Sequence, residues 1–444
     1  MSSAAAGPAV GPIAIAGALR AKPASHWHDR LAQGLLIGMC VLLVVFLLAP
    51  LAAILVKSVQ DKDGAFVGLR QFYDYFQTPA LRQSILHTVS VAFAVTAITI
   101  PMAFTFAYAL TRSCMPFKRT FRVIALTPIL APSLLAAISF IQWFGTQGLL
   151  KGLLGGAKVY GPIGIILSSI YAVFPHALMI ILTALLLADG RLYEAAESLG
   201  TPTLRRFFTI TLPGAKYGLI SAAMVVFSYT VSDFGIPKVI GGNYSVLALD
   251  IFKQVIGQQN FNRGAVVSLI LLVPVLLAFI VDWTMQGRQR AQFSSRAVAY
   301  APKSDRWFDA TMLVYCVLIS VLLLAVLGMA IYTSFIKLWP YDKSFSLRHY
   351  TFGLIDGGVI SAFFNSLKMA LLSAVFGTMI IFGGAYLLEK TRGMNGLRAF
   401  IRLLASIPMG VPGMVLGLGY IFFFNHPDNP LNGLYHGMTI LVIS

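Results

Sequence analysis

Long apolar runs alternate with short polar stretches along the whole chain. The first run covers residues 34–56, GLLIGMCVLLVVFLLAPLAAILV. Others cover 85–110, 122–144, 161–187, 215–236, 264–284, 309–334, 363–388 and 401–424, and a further run begins near residue 437. Each complete run has roughly the 20 residues that cross the hydrocarbon core of a bilayer as a helix. Backbone groups in lipid must be satisfied within the segment, so the runs predict helices. The fold class expected is all-α, a polytopic membrane helical bundle. Pro50, Pro101, Pro128, Pro132 and Pro274 fall in or near these runs, where bundle packing tolerates them.

The pattern repeats within the chain. Leu69-Arg70-Gln71-Phe72 corresponds to Leu347-Arg348-His349-Tyr350 at an offset of 278 residues. At that offset His87-Thr88 meets Asn365-Ser366, and Ala107-Tyr108-Ala109 meets Ala385-Tyr386-Leu387. At an offset of 280, Pro128-Ile129-Leu130-Ala131-Pro132 faces Pro408-Met409-Gly410-Val411-Pro412. The matches fall on corresponding runs in the same order, which predicts a parallel tandem repeat of the kind transporters use. The expected layout is a disordered cytoplasmic N-terminus over 1–33, a first six-helix domain over 34–285, a cytoplasmic linker over 286–308 and a second domain over 309–444. The counterpart of the polar segment 188–213 would fall near 468–493, past Ser444, so the second unit is expected to be truncated.

Polar positions set the orientation. With the N-terminus inside, Arg112, Lys118, Arg119 and Arg122 follow the second run on the cytoplasmic side, and Arg191, Arg205, Arg206 and Lys216 follow the fourth. Arg288, Arg290, Arg296, Lys303 and Arg306 lie on the linker. The opposite loops mix signs, as with Asp61, Lys62, Asp63 and Asp74, or Asp250, Lys253 and Arg263. This is the positive-inside asymmetry. Composition agrees: 58% of residues are hydrophobic and 11% charged, against about one quarter charged in soluble domains. The net charge of +17 therefore reads as membrane topology and not as a nucleic-acid footprint. Cys40, Cys114 and Cys316 are scattered, with no disulfide framework or metal-ligand spacing.

The most informative polar stretch is Tyr193-Glu194-Ala195-Ala196-Glu197-Ser198-Leu199-Gly200, which continues through Arg205, Arg206, Phe207, Phe208, Ile210 and Leu212 to Pro213. Residues 191–199 suit a short helix, with Ala195, Ala196 and Leu199 able to form one apolar patch. Gly200 can end it with positive φ. Thr201-Pro202 then starts a second helix. Such a basic, small-residue-rich helix-turn-helix can dock in a groove of a soluble partner or simply cap the bundle.

The spacing Glu-Ala-Ala, glycine six residues after the glutamate, then isoleucine, leucine and proline resembles the coupling motif of the binding-protein-dependent ABC transporter permeases. Here it is Glu194, Ala195, Ala196, Gly200, Ile210, Leu212 and Pro213, with Arg205 inside it. The resemblance covers nearly all of residues 35–444, and the fused pair resembles 2-aminoethylphosphonate and ferric-iron import permeases. It implies a multi-pass subunit of a bacterial inner membrane, in contact with lipid. A separate ATP-binding subunit dimer would engage Glu194 and Gly200, and a periplasmic solute-binding protein would deliver solute. It implies no cofactor, no metal and no covalent chemistry, in keeping with the absence of a phosphate loop.

Solute is read from Asp233-Phe234-Gly235-Ile236-Pro237-Lys238 with Tyr244-Ser245-Val246-Leu247-Ala248 and Gln258-Gln259, which look most like the 2-aminoethylphosphonate permeases. Ferric-iron import is the alternative within the family. Asp233, near a span end, is a candidate for the solute path. Lys238, Gln254, Gln258 and Gln259 are candidates for the path or for contact with the binding protein, although a solvated loop also accounts for the glutamines. His87 and His176 read as packed imidazoles. An ion-coupled secondary transporter is the alternative from another class, and it would need midplane carboxylates that the runs mostly lack.

Overall fold

A computed structural model describes residues 27–155, 158–292, 298, 300–355, 358–391 and 393–444. Residues 1–26 of the lead-in expected over 1–33, and Arg296 of the linker, lie outside them. The first span, α1, is Trp27–Ser58, so the helix begins seven residues before residue 34. Asp29 in its first turn complements the positive end of the helix dipole. A π turn over Val44–Leu48 interrupts α1 just ahead of Pro50, which absorbs the lost proline N–H. There follow α2 (Arg70–Gln77), α3 (Pro79–Arg112), α4 (Lys118–Leu130), α5 (Ser133–Phe144) and α6 (Pro162–Leu186). Next come α7 (Gly190–Ser198), α8 (Thr203–Ser232), α9 (Gly235–Ile240), α10 (Leu247–Phe252) and α11 (Phe261–Gln292). The second half holds α12 (Arg306–Ser334), a two-stranded ribbon of β1 (Ile336–Leu338) and β2 (Asp342–Phe345), α13 (Arg348–Ile355) and α14 (Gly358–Lys390). It continues with α15 (Asn395–Gly410), α16 (Gly413–Phe424) and α17 (Met438–Ile443).

Among the described residues seven helices are long and apolar enough to cross a membrane, or up to nine if each of two bent pairs is one span. The runs at 122–144 and 401–424, each expected as one spanning helix, are these bent pairs. α4 meets α5 at 102° and α15 meets α16 at 114°. The cause is local. A residue before proline is pushed towards extended backbone, and Ala131 and Val411 have ψ of 133° and 121°. Pro132 and Pro412 follow with ψ of 146° and 139°, and each starts a new helix. The matched prolines of the repeat thus make matched breaks. Pro101, Pro175 and Pro274 stay inside continuous helices.

α11 runs on to Gln292, and α12 starts at Arg306, where Asp305 accepts from the Trp307 and Phe308 N–H groups at 3.1 and 3.3 Å.

Each half lends its first long helix to the other. α12 packs on α3 and α5: Tyr315 donates to the Met102 carbonyl at 2.8 Å, and the Trp143 indole donates to the Ala325 carbonyl at 3.1 Å. α1 packs on α16, where the Tyr420 hydroxyl donates to the Phe46 carbonyl at 2.7 Å. The central core is built from α3, α5, α6, α8 and α12, with Phe106, Phe174 and Ile181 fully buried. By contrast α14 is exposed along almost its whole length.

Close approach of α1 and α16 depends on Gly419. A Cβ there would lie 2.8 Å from the Pro50 carbonyl oxygen, whereas one at Gly417 meets nothing within 4 Å. Gly419→Ala is expected to destabilise the protein by about 1–3 kcal/mol through overpacking. Gly417→Ala is expected to be neutral or mildly stabilising, and thermal unfolding in detergent compares the two.

Candidate coupling segment and solute path

Two regions gather the functional candidates. One lies at the end of the bundle that carries Arg112, Arg191 and Arg205, called the basic end below. The other lies inside the bundle beside the two breaks.

At the basic end, α7 begins at Asp189, whose carboxylate accepts from the Arg191 N–H at 3.1 Å. Gly200 ends the helix with φ of +67°. Its N–H donates to the Glu197 carbonyl at 2.8 Å and the Thr201 N–H to the Ala196 carbonyl at 2.9 Å. This is the Schellman arrangement, which satisfies the last carbonyls and favours glycine. The short helix is therefore where the sequence placed it. The apolar patch is not: Ala196 turns into the bundle, while Ala195 and Leu199 face outward. Nor is the second helix separate, because α8 runs from Thr203 through a π turn at Phe207–Thr211 into the span. Pro213 sits in the first turn after that π segment, so its missing N–H interrupts nothing.

Glu194, Ala195, Gly200, Arg205 and Pro213 are exposed, and Ile210 and Leu212 are half-buried. Leu199 and Leu204 are 83% and 72% exposed, so apolar as well as charged surface is presented beyond the bundle.

Arg112 anchors this segment from behind. The positive-inside reading put it in a solvated loop, yet it is 7% exposed. Its guanidinium donates to the Leu185 carbonyl at 3.0 Å and to the Tyr193 hydroxyl at 3.4 Å. It also lies against both the Tyr193 and Tyr300 rings, 4.7 and 4.5 Å from their centroids, and those rings contact each other at 4.7 Å. Such cation–π contacts suit arginine. Tyr193 in turn donates to the Thr211 hydroxyl at 2.9 Å. One arginine thereby ties together the ends of α3 and α6, the helix α7 and the linker. The linker also reaches α7 directly, through a 2.5 Å contact of Lys303 with Glu197 and a 2.8 Å hydrogen bond from the Gly190 N–H to the Val298 carbonyl.

Inside the bundle, a cavity of about 360 Å³ lies at the α4–α5 break, lined by Ser133, His176, Tyr229, Ser232 and Asp233 among others. A second, of about 290 Å³, lies at the α15–α16 break, lined by Ser228, Tyr229, Ser232, Asp282 and Pro412 among others. Tyr229 and Ser232 of α8 line both, so the two breaks face the same helix from either side. Asp233 is half-buried and accepts from the Gly235 and Ile236 N–H groups at 3.1 and 3.4 Å. It thus starts α9 as well as facing the cavity. Gly235 is required there, since a Cβ would lie 2.8 Å from the Ser133 hydroxyl.

The other path candidates are not brought to the cavities. Lys238 is exposed and lies over the Phe252 ring at 4.3 Å, and Gln258 is exposed beyond α10. Gln254, read as solvated with Asp250, is instead buried, as Asp250 is, at 5% and 4% exposure. Both sit on the inward face of α10 and its π turn. His87 is packed as expected, with its ring 3.7 Å from that of Tyr244 and Nδ1 3.0 Å from the Ser245 carbonyl oxygen. His176 stacks against Tyr229 at 4.7 Å. Among the described residues no group of three or more potential metal ligands occurs. Asp282 was missed in the sequence, although an aspartate in the run 264–284 is the signal that marks intramembrane function.

Residues 99–291 match the family described as binding-protein-dependent transport system inner membrane component. A ferric transport system permease protein of Actinobacillus pleuropneumoniae is 25% identical over 93% of this chain, which spans 61% of that protein's length. A Haemophilus influenzae protein named for ferric transport is 24% identical over 98% of this chain and 70% of its own. A spermidine/putrescine transport system permease from the same organism is 24% identical over 54% of this chain and 88% of its own. The chain thus resembles the binding-protein-dependent permeases of ABC transporters, with the family match itself confined to residues 99–291. The relatives that align along nearly the whole chain are named for ferric transport, and the match to an inner membrane component together with seven to nine candidate spans among the described residues supports a multi-pass inner-membrane protein.

Two outcomes are expected at the basic end. Tyr193→Phe removes the hydrogen bond to Thr211 and is expected to cost about 0.5–1.5 kcal/mol, measured by thermal unfolding. Lys303, by donating to Glu197, holds that carboxyl below the usual carboxylate range. A lowered folded value means the contact is fully present above the ordinary carboxylate value and lost as pH falls through the lowered one. Hydrogen exchange of residues 300–305, corrected for its intrinsic pH dependence, is expected to stay slow at pH 5 and rise only in stronger acid. Lys303→Met is expected to abolish that transition.

Proposed function

We propose that the chain is the permease subunit of an ATP-driven importer, with its N-terminus and basic end in the cytoplasm. The observation that carries this is the conjunction of a protruding, glycine-terminated α7, anchored through Tyr193 and Arg112, with a cavity that holds one aspartate at each proline break. In this reading α7 and the start of α8 fit a cleft on an ATP-binding subunit dimer. Glu194, Ala195, Arg205 and the exposed leucines make the contact, Gly200 sets the turn, Ala196 seats the helix, and Ile210, Leu212 and Pro213 join it to the span. Movement of the dimer then reaches α8 directly, because the π turn leaves the helix unbroken from Thr203 to Ser232. That same helix carries Tyr229 and Ser232 between the two cavities. A periplasmic binding protein delivers solute at the opposite end, where Lys238 and Gln258 are exposed. The first domain spans roughly residues 34–285, the linker 286–308 and the second domain 309–444. The subunit performs no chemistry of its own.

Two solutes have support. Ferric iron is favoured by relatives named for ferric transport that align along nearly the whole chain. 2-Aminoethylphosphonate is favoured by the stretch Asp233–Lys238 with Gln258 and Gln259. The test is uptake into proteoliposomes holding the chain, its ATP-binding subunit and its solute-binding protein. ATP-dependent accumulation is expected, and Glu194→Ala or Gly200→Val is expected to reduce it at least tenfold. Uptake that persists unchanged in both variants would contradict the coupling role.

A further inference from the structure

The two cavities share a charge pattern. Among their lining residues neither has a lysine or an arginine, and each has one aspartate. Asp282 is 6% exposed and is held by the Ser221 hydroxyl and by Gln286 Nε2, the latter at 2.9 Å. Asp233 is held by two backbone N–H groups. Among the described residues no basic side chain lies within salt-bridge distance of either carboxylate. Carboxylates inside a bundle are ordinarily paired. Here the neutral hydrogen bonds orient them and leave their charge without a counter-charge. Tyr229 stands between the cavities, and an aromatic face attracts cations.

We infer that the path through these cavities conducts its solute as a cation, with Asp233 and Asp282 as successive counter-charges on either side of Tyr229. This deepens the importer reading and rests on it. The chemistry suits a metal cation or a protonated amine. The ammonium of 2-aminoethylphosphonate would be accepted as well, but its phosphonate would meet no lysine or arginine in either cavity, only the His176 imidazole at the α4–α5 break.

Asparagine is the discriminating replacement. It keeps an acceptor for the α9 N–H groups or for Ser221 and removes only the charge. The full chain is reconstituted with its ATP-binding subunit and binding protein. Uptake of ferric iron, putrescine, 2-aminoethylphosphonate and sulfate is then measured per ATP hydrolysed. Ferric iron or putrescine is expected to enter, and which of them enters separates metal from amine. Asp233→Asn and Asp282→Asn are each expected to lower uptake per ATP at least tenfold, with partial recovery in Asp233→Glu. Sulfate or aminophosphonate uptake without cation uptake would overturn the inference, as would wild-type cation uptake per ATP in both asparagine variants. Binding-protein-stimulated hydrolysis with no uptake across the panel would overturn it while leaving the importer reading in place. Loss of both stimulation and uptake in the wild-type assembly would overturn the two together.

Discussion

Proline cannot donate a backbone hydrogen bond, and it forces the residue before it out of the helical region. At Ala131-Pro132 and Val411-Pro412 this constraint acts inside an apolar bundle, where backbone groups left without partners are costly. The chain turns through about a right angle at each place and restarts a helix. Most of the interior is arranged around the two turns. α8 passes between them, its polar residues Ser228, Tyr229 and Ser232 face the openings, and Gly235 lets α9 come close to Ser133. Had those runs stayed straight, the bundle would have had ordinary helix contacts where it now has cavities that admit Asp233 and Asp282.

The exchange of first helices has a complementary effect. α12 closes the outside of α3 and α5, and α1 closes the outside of α16, so neither half is complete without the other. α8, which follows α7 directly and has the two cavities on its flanks, runs inside this peripheral interlock. The Arg112 cluster sets how firmly α7 is joined to that helix. Its cation–π and hydrogen-bond contacts are inside the protein and so are less screened by salt than the surface pair of Lys303 and Glu197.

Hydropathy alone made the helical class, the number of runs and the short helix 191–199 legible, because length and period are local properties. The repeat was legible in its prolines, but their consequence was not. A proline inside a helix and a proline that breaks one look the same in sequence, as Pro101 and Pro132 show, and tertiary packing decides between them. Charge was a poor guide to burial. Arg112, Asp250 and Gln254 read as loop positions in the sequence, yet the fold supplies aromatic rings, carbonyls and an inward helix face that enclose them. Asp282 carried a readable signal, an acid in an apolar run, that the emphasis on Asp233 obscured. The exchange of first helices left no trace in the sequence, since apolar faces do not name their partners.

The central claim is that the space on either side of Tyr229 and Ser232 is the route through the membrane. Its most direct measurement is thiol accessibility of Ser232→Cys, with native Cys40, Cys114 and Cys316 replaced, probed by a membrane-impermeant reagent from each side of oriented vesicles. The account predicts labelling from one side in the resting assembly and from the other when ATP is bound and hydrolysis is blocked. A cysteine at this position that reacts from neither side in either state would contradict it.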